Sequence, residues 1–229
     1  MLQEKLNFLL DKYDVSKEVT LKTDKMAVID GVVVPLLAHR NLRRFVELKN
    51  IVCGGTLVGI SVMRVARMVE KGKDIYAALG RELDICRFVL GREIKSVMVM
   101  ENGAVLNCIA TAEDGVVCTL EIAATLNPGE KEKDKHEIIS QRGIACDVVV
   151  DAQLQQDSIY IFGKENQKFT DVDFELYGLD AEQVAVVRAA FDAARLGDKD
   201  MRIAENAKIN ALVDAAKRSA ASGEREVVA

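Results

Sequence analysis

"EIKSVMVMENGAVLNCIATAEDGVVCTLEIAATL", residues 93–126, decides the fold. It holds three runs, "EIKSVMVME", "AVLNCIAT" and "GVVCTLEIAATL", that alternate at period two, as a strand does when it buries one face. Asn102-Gly103 and Asp114-Gly115 stand between them, dipeptides that accept the positive φ of a tight hairpin turn. The stretch therefore reads as an antiparallel meander. In its last strand Val116, Cys118, Leu120, Ile122, Ala124 and Leu126 share one face, which is core. Val117, Thr119, Glu121, Ala123 and Thr125 share the other, which is small and mixed rather than strongly charged. In 159–162, Ile159 and Ile161 alternate with Tyr160 and Phe162, again without a polar side. An antiparallel sheet covered on one face normally turns a polar face to water. A semi-apolar second face predicts a partner, and a second copy of the chain is the simplest one.

Working outward, "ALGRELDICRFVLG" (78–91) is a helix stopped by Gly91, with Ile75, Leu79, Leu83, Cys86 and Leu90 as its apolar stripe. Upstream, residues 1–14 form an amphipathic helix. "KMAVIDGVVVPLL" gives two strands around the Asp30-Gly31 turn, a short helix covers 41–49, and "GTLVGISVMRVARMVEKG" is a strand. Downstream, "NPGEKEKDK" is a charged loop, and "HEIISQRG", "CDVVVD", "SIYIFG" and "KFTDVDFELYGL" are strand-like. Helices over 181–196 and 206–222 close the chain, stopped by Gly197 and Gly223. Consecutive strands flanked by helices predict an α+β fold: an open, largely antiparallel sheet with helices packed on one face.

Composition sets the class. Of 229 residues, 49% are hydrophobic and 29% charged, which describes a globular chain that can bury its own core. A net charge of −5 speaks against general nucleic-acid binding, which needs a basic surface. The five cysteines, at 53, 86, 108, 118 and 146, form no CxxC and no Cys/His pair at metal spacing, so no metal site is expected. An odd count suits a reducing compartment. "MLQEKLNFLLDKYD" lacks the build of a signal peptide, and no apolar run is long enough for a bilayer. The chain reads as cytoplasmic, without a membrane partner.

Several segments together resemble the Gfo/Idh/MocA family of NAD(P)-dependent sugar and cyclitol oxidoreductases. "GVVVPLLAHRNLRRF" is similar to that family's last cofactor-domain strand and the segment after it. "AALGRELDICRFVLG" resembles its Gly-bearing helix, and "REIKSVMVM" follows in order. "VAVVRAAFDAARLGDKDMRIAENAKINALVDAAKRSAASGEREVV" is similar to its closing pair of helices. The resemblance covers roughly 31–229. It implies a single α+β domain over 1–229, with 1–40 a remnant of the dinucleotide-binding domain, 41–229 the C-terminal-like domain, and most of the Rossmann domain lacking.

The departures decide the functional expectation. "CGGTLVG" has glycines at the wrong spacing for a GxGxxG turn, and no acidic ribose ligand follows it at the expected interval. In the family the Gly-bearing helix carries an Asp and, four residues on, a His suited to taking a hydroxyl proton. Aligned on Gly80, those positions hold Ala78 and Glu82. Asp84 matches the family in a structural role. Glu82 serves as a base only if burial raises its pKa. The family's Glu-Lys-Pro turn has a loose counterpart in "QEKLNF", where Lys5 is followed by Leu6, although such a pair is common on any amphipathic helix. His39, Arg40 and Arg44 are candidates for holding a carboxylate or phosphate of a small-molecule ligand.

The expected function is thus a homologue without independent dehydrogenase activity, a homodimer through the open sheet face that binds or scaffolds, with no cofactor. The alternative is an oxidoreductase for a sugar or cyclitol. It would use NAD(P) through a dinucleotide domain on another chain, or a remodelled site at His39, Arg40, Arg44 and Glu82.

Overall fold

The computed structural model describes residues 1–141, 143–147, 158–161, 167–170 and 173–228, with backbone alone for 158–161 and 167–170. In chain order the elements begin with α1 (Leu2–Lys12), β1 (Val19–Leu21), β2 (Met26–Ile29), β3 (Val32–Pro35), a 3-10 turn at Ala38–Asn41 and α2 (Arg43–Cys53). Then come β4 (Ile60–Glu70), α3 (Ile75–Leu90), β5 (Ile94–Asn102), β6 (Val105–Ala112) and β7 (Val117–Leu126). They are followed by β8 (Lys133–Ser140), β9 (Gly143–Cys146), β10 (Ser158–Ile161) and β11 (Gln167–Thr170). The chain ends in α4 (Ala181–Leu196), α5 (Lys199–Ser222) and β12 (Glu226–Val227).

The chain divides into two compact units. One is Met1–Arg43 with Val149–Asn206, the other Arg44–Val148 with Ala207–Ala229.

The first unit has the antiparallel sheet β1-β2-β3, turned between β2 and β3 by Asp30 and Gly31, both at positive φ. Leu6, Leu9 and Leu10 of α1 are buried in one cluster with Ala27, Ile29, Val34 and the Ala-rich face of α4 around Phe191. Asp180 caps α4, its side chain accepting from the backbone of Gln183.

The second unit is built on a seven-stranded sheet in the order β12-β5-β6-β7-β4-β8-β9. The meander β5-β6-β7 is antiparallel as expected, while β4 lies parallel to β7 and antiparallel to β8. Period-two burial follows the sequence: Cys118, Leu120, Ile122, Ala124 and Leu126 of β7 are buried and their neighbours are not. α3 covers that inner face. Asp74 caps it by accepting from Tyr76 N, and Gly91, at φ 66, ends it in the left-handed conformation. At Gly80 a Cβ would lie 2.8 Å from Val213 Cγ2, so glycine is what lets α3 and α5 approach there. On the opposite face Met68, Met100, Val105 and Ile109 are exposed.

The structure corrects the sequence reading in several places. β10 and β11 pair with each other rather than extend the large sheet. Residues 173–179 turn instead of forming a strand, because Asp173 Oδ1 accepts from the backbone of Glu175 and Leu176. α5 begins at Lys199, seven residues earlier than expected, and the three-residue β1 and the two-residue β12 are strands that the sequence reading does not contain. The expected strand "CDVVVD" lies outside the described residues beyond Asp147.

Candidate functional site

In β8 the residues Asp134, His136 and Ile138 face inward, while Lys133, Lys135 and Glu137 face out. In β4 Met63, Val65, Arg67 and Val69 share the inward row, and register places Val65 beside His136 and Arg67 beside Asp134. Two adjacent strands thus send ionisable groups into an otherwise apolar layer. Glu82, on the inner side of α3, meets them and is fully buried.

His136 sits between two carboxylates. Its Nε2 is 2.7 Å from Glu82 Oε2 and its Nδ1 is 2.6 Å from Asp147 Oδ2. Asp147 follows β9, and its other oxygen accepts from the backbone N–H of His136 at 2.7 Å, in place of a ladder carbonyl. Arg44, in the first turn of α2, holds Asp134 with both terminal nitrogens at 2.6 Å and reaches Asp147 at 3.2 Å. Arg81 donates to Glu82 Oε1 at 2.5 Å. Arg67 lies 3.3 Å from the same oxygen and 3.2 Å from Asp134, and pairs further with Glu132, which Lys73 also holds. The Phe45 ring closes one side, edge-on to His136 at 4.7 Å between centroids, with the Arg44 guanidinium 4.5 Å from its centre.

The electrostatics follow from these contacts. Burial is the largest influence on Glu82 and pushes its pKa up. The His136 hydrogen bond and the charges of Arg81, His136 and Arg67 together outweigh it, bringing the group down to about 2. Burial likewise pushes His136 down, but the hydrogen bonds to Asp147 and Glu82 raise it to about 9. For Asp134 burial is again opposed, chiefly by Arg44, and the net direction is downward. At neutral pH this is a closed set of ion pairs.

Ligand-type atoms of Glu82, Asp134 and His136 do lie within 4.8 Å of one another. They do not make a cation site: the carboxylates are already held by guanidinium and imidazolium cations, and three arginines would repel a divalent ion.

The candidates named from sequence fall in both units. Glu82 and Arg44 join this network. The condition for Glu82 as a base is not met, since its pKa moves down, not up. His39 and Arg40 sit in the 3-10 turn of the first unit, where Arg40 pairs with Glu205 at 2.7 Å. Lys5 is half-buried on α1 of that unit. Ala78 is buried one turn before Glu82, and Asp84 accepts from Arg87 at 2.9 Å. Cys53 is exposed. The glycines after Cys53 do not form a phosphate cradle. They end α2, and the N–H groups of Gly54, Gly55 and Thr56 are spent on the carbonyls of Asn50, Val52 and Ile51.

Sequence reasoning missed His136, Asp147, Asp134, Arg67 and Arg81. For two of them a signal existed: Arg67 and His136 each fall on the apolar phase of a period-two strand.

No family model and no curated protein matches the sequence. Solved structures do match. A scyllo-inositol dehydrogenase from Lactobacillus casei, with NAD(H) and scyllo-inositol bound, superposes with a TM-score of 0.59 at 14% identity, over 84% of this chain and 63% of that one. A myo-inositol dehydrogenase from Corynebacterium glutamicum gives 0.59 at 12%, over 84% and 63%. An oxidoreductase domain protein from Kribbella flavida gives 0.62 at 12%, over 84% and 64%. The chain therefore spans less than two thirds of these neighbours' length. Its structural neighbours are oxidoreductases of the Gfo/Idh/MocA type, and the fold shared with them is the α+β fold expected from the sequence.

Proposed function

We propose that this chain is an oxidoreductase-fold protein without independent dehydrogenase activity, a cytoplasmic homodimer that binds or scaffolds. The state of Glu82 carries this reading. It occupies the helix position where the resemblance implies a proton-accepting His, yet it is fully buried, clamped by Arg81, Arg67 and His136, and held near pKa 2. A carboxylate this acidic has almost no affinity for a substrate proton at pH 7. Ala78 one turn earlier carries no group to assist it, and the Cys53–Thr56 stretch offers no pyrophosphate cradle.

Purified chain should show no NAD(P)-dependent turnover of sugars or inositols, and saturating NAD(H) or NADP(H) should not shift its melting temperature. Polyol turnover that disappears in Glu82→Ala would refute the reading. One observation favours a second: a neighbour binds NAD(H) and scyllo-inositol. On that reading the chain is part of a sugar or cyclitol oxidoreductase whose dinucleotide domain another chain supplies, and a cofactor-dependent thermal shift would favour it.

The dimer is supported by Met68, Met100, Val105 and Ile109, exposed together on the face that α3 leaves open. Across a two-fold axis each would meet the same neighbourhood of its partner. A specific contact should bury more than roughly 1,000 Å² in total. Thr119, between Ile109 and Arg64 in register on that face, is the position to test. In sedimentation velocity the unaltered protein should run as a dimer and Thr119→Lys should shift towards monomer, since like charges in a desolvated contact are costly. A clean monomer for the unaltered chain would dismiss the interface.

A further inference from the structure

His136 serves two buried acceptors at once, Asp147 Oδ2 through Nδ1 at 2.6 Å and Glu82 Oε2 through Nε2 at 2.7 Å. A neutral imidazole has one N–H and one lone pair, so it can donate to only one of them. Two ionised carboxylates on the two nitrogens require the doubly protonated ring. The three side chains belong to separate pieces of structure: His136 to β8, Asp147 to the residue after β9, and Glu82 to α3. We propose that the second proton on His136 is an alkaline-sensitive latch that fastens the β8–β9 hairpin to α3.

The groups around the ring define what the latch releases. From α3 come Glu82 and Arg81, from β4 Arg67, from β8 Asp134, from α2 Arg44 and Phe45, and from beyond β9 Asp147. Asp147 keeps Arg44, and Glu82 keeps Arg81 and Arg67, so both carboxylates remain paired when the ring loses its proton. What fails is one of the two ring contacts, because a lone pair then faces a carboxylate oxygen at under 3 Å. That contact ties hairpin to helix, or the end of the hairpin to its own middle.

The direction of the response is fixed. The folded pKa, raised from 6.5 to about 9, favours the closed state below the open-state value and ceases to do so as pH rises through 9. For those two values the closed-to-open ratio falls about 70-fold between pH 7 and pH 10.

Amide hydrogen exchange of the unaltered chain tests this, compared at pH 7 and pH 10 after correction for the intrinsic rate. The strands β8 and β9 should lose about 70-fold in protection, while β5, β6 and β7 change by only a few-fold. Nitrogen-15 shifts should show both ring nitrogens of His136 protonated at pH 8. His136→Gln, which has a single donor nitrogen and never charges, should show a hairpin already loosened at pH 7 and insensitive to pH. Should that variant fail to fold, the ring titration of the unaltered protein decides alone. A ring that titrates near 6.5, or a hairpin equally protected at both pH values, overturns the latch.

Discussion

Glu82→Leu should lower the free energy of unfolding at pH 7 by about 3–5 kcal/mol, the usual cost of removing one partner from a buried ion pair. Leucine is close to glutamate in volume, so a cavity contributes little. The loss comes from the cations left behind: His136 keeps only Asp147, and Arg81 loses the Oε1 it holds at 2.5 Å. Glu82→Gln separates charge from shape. Its amide oxygen can still accept from one of these donors, so its loss should be smaller. Urea denaturation of the three proteins is the measurement, and a leucine variant within 1 kcal/mol of the unaltered protein would mean that the network contributes nothing. The same pair sets the acid limb. Because the folded pKa of Glu82 is lowered to about 2, its contribution is present above the ordinary carboxylate value and fades as pH falls towards 2.

Phe45→Ala should cost about 3–5 kcal/mol, as emptying a buried aromatic site generally does. Phe45 is fully buried, and its ring touches the edge of His136 and lies under the Arg44 guanidinium, with Arg81 5.8 Å from its centre. Deleting it removes apolar contact and also admits water to a network whose pairing depends on being dry. Phe45→Leu keeps most of the apolar volume and should cost clearly less. If alanine and leucine cost the same, the ring's contacts with the cations, rather than its bulk, carry the stability; if neither costs more than 1 kcal/mol, Phe45 is not part of the core described above. Thermal and urea unfolding of both variants distinguish these outcomes.

The meander was legible because its signal is local. The alternation along 116–126 names the buried face of β7, and Gly103 and Gly115, both at positive φ, turn hairpins that pair neighbours in sequence. α3 was legible for the same reason: a three- and four-residue stripe and a terminal glycine are properties of one segment. Local signals also misled. The apolar residues of "KFTDVDFELYGL" look strand-like, but one Asp173 side chain bonding its own following backbone is enough to turn the chain.

The site was hardly legible. Glu82 could be singled out and placed on its helix, but nothing in "GRELD" says whether its proton is held or lost. That depends on His136, 54 residues away, and His136 depends on Asp147, 11 residues further on. β4 enters the sheet between β7 and β8, so Arg67 meets Asp134 through a register that no hairpin encodes. By itself, the sequence determined the strands of the meander and the helix α3 and which side of each is buried, since periodicity is written residue by residue. Only the tertiary structure decided that five elements bring opposite charges into one dry layer. The energy of a buried charge is set by its partners within a few ångströms, and those partners are far apart along the chain.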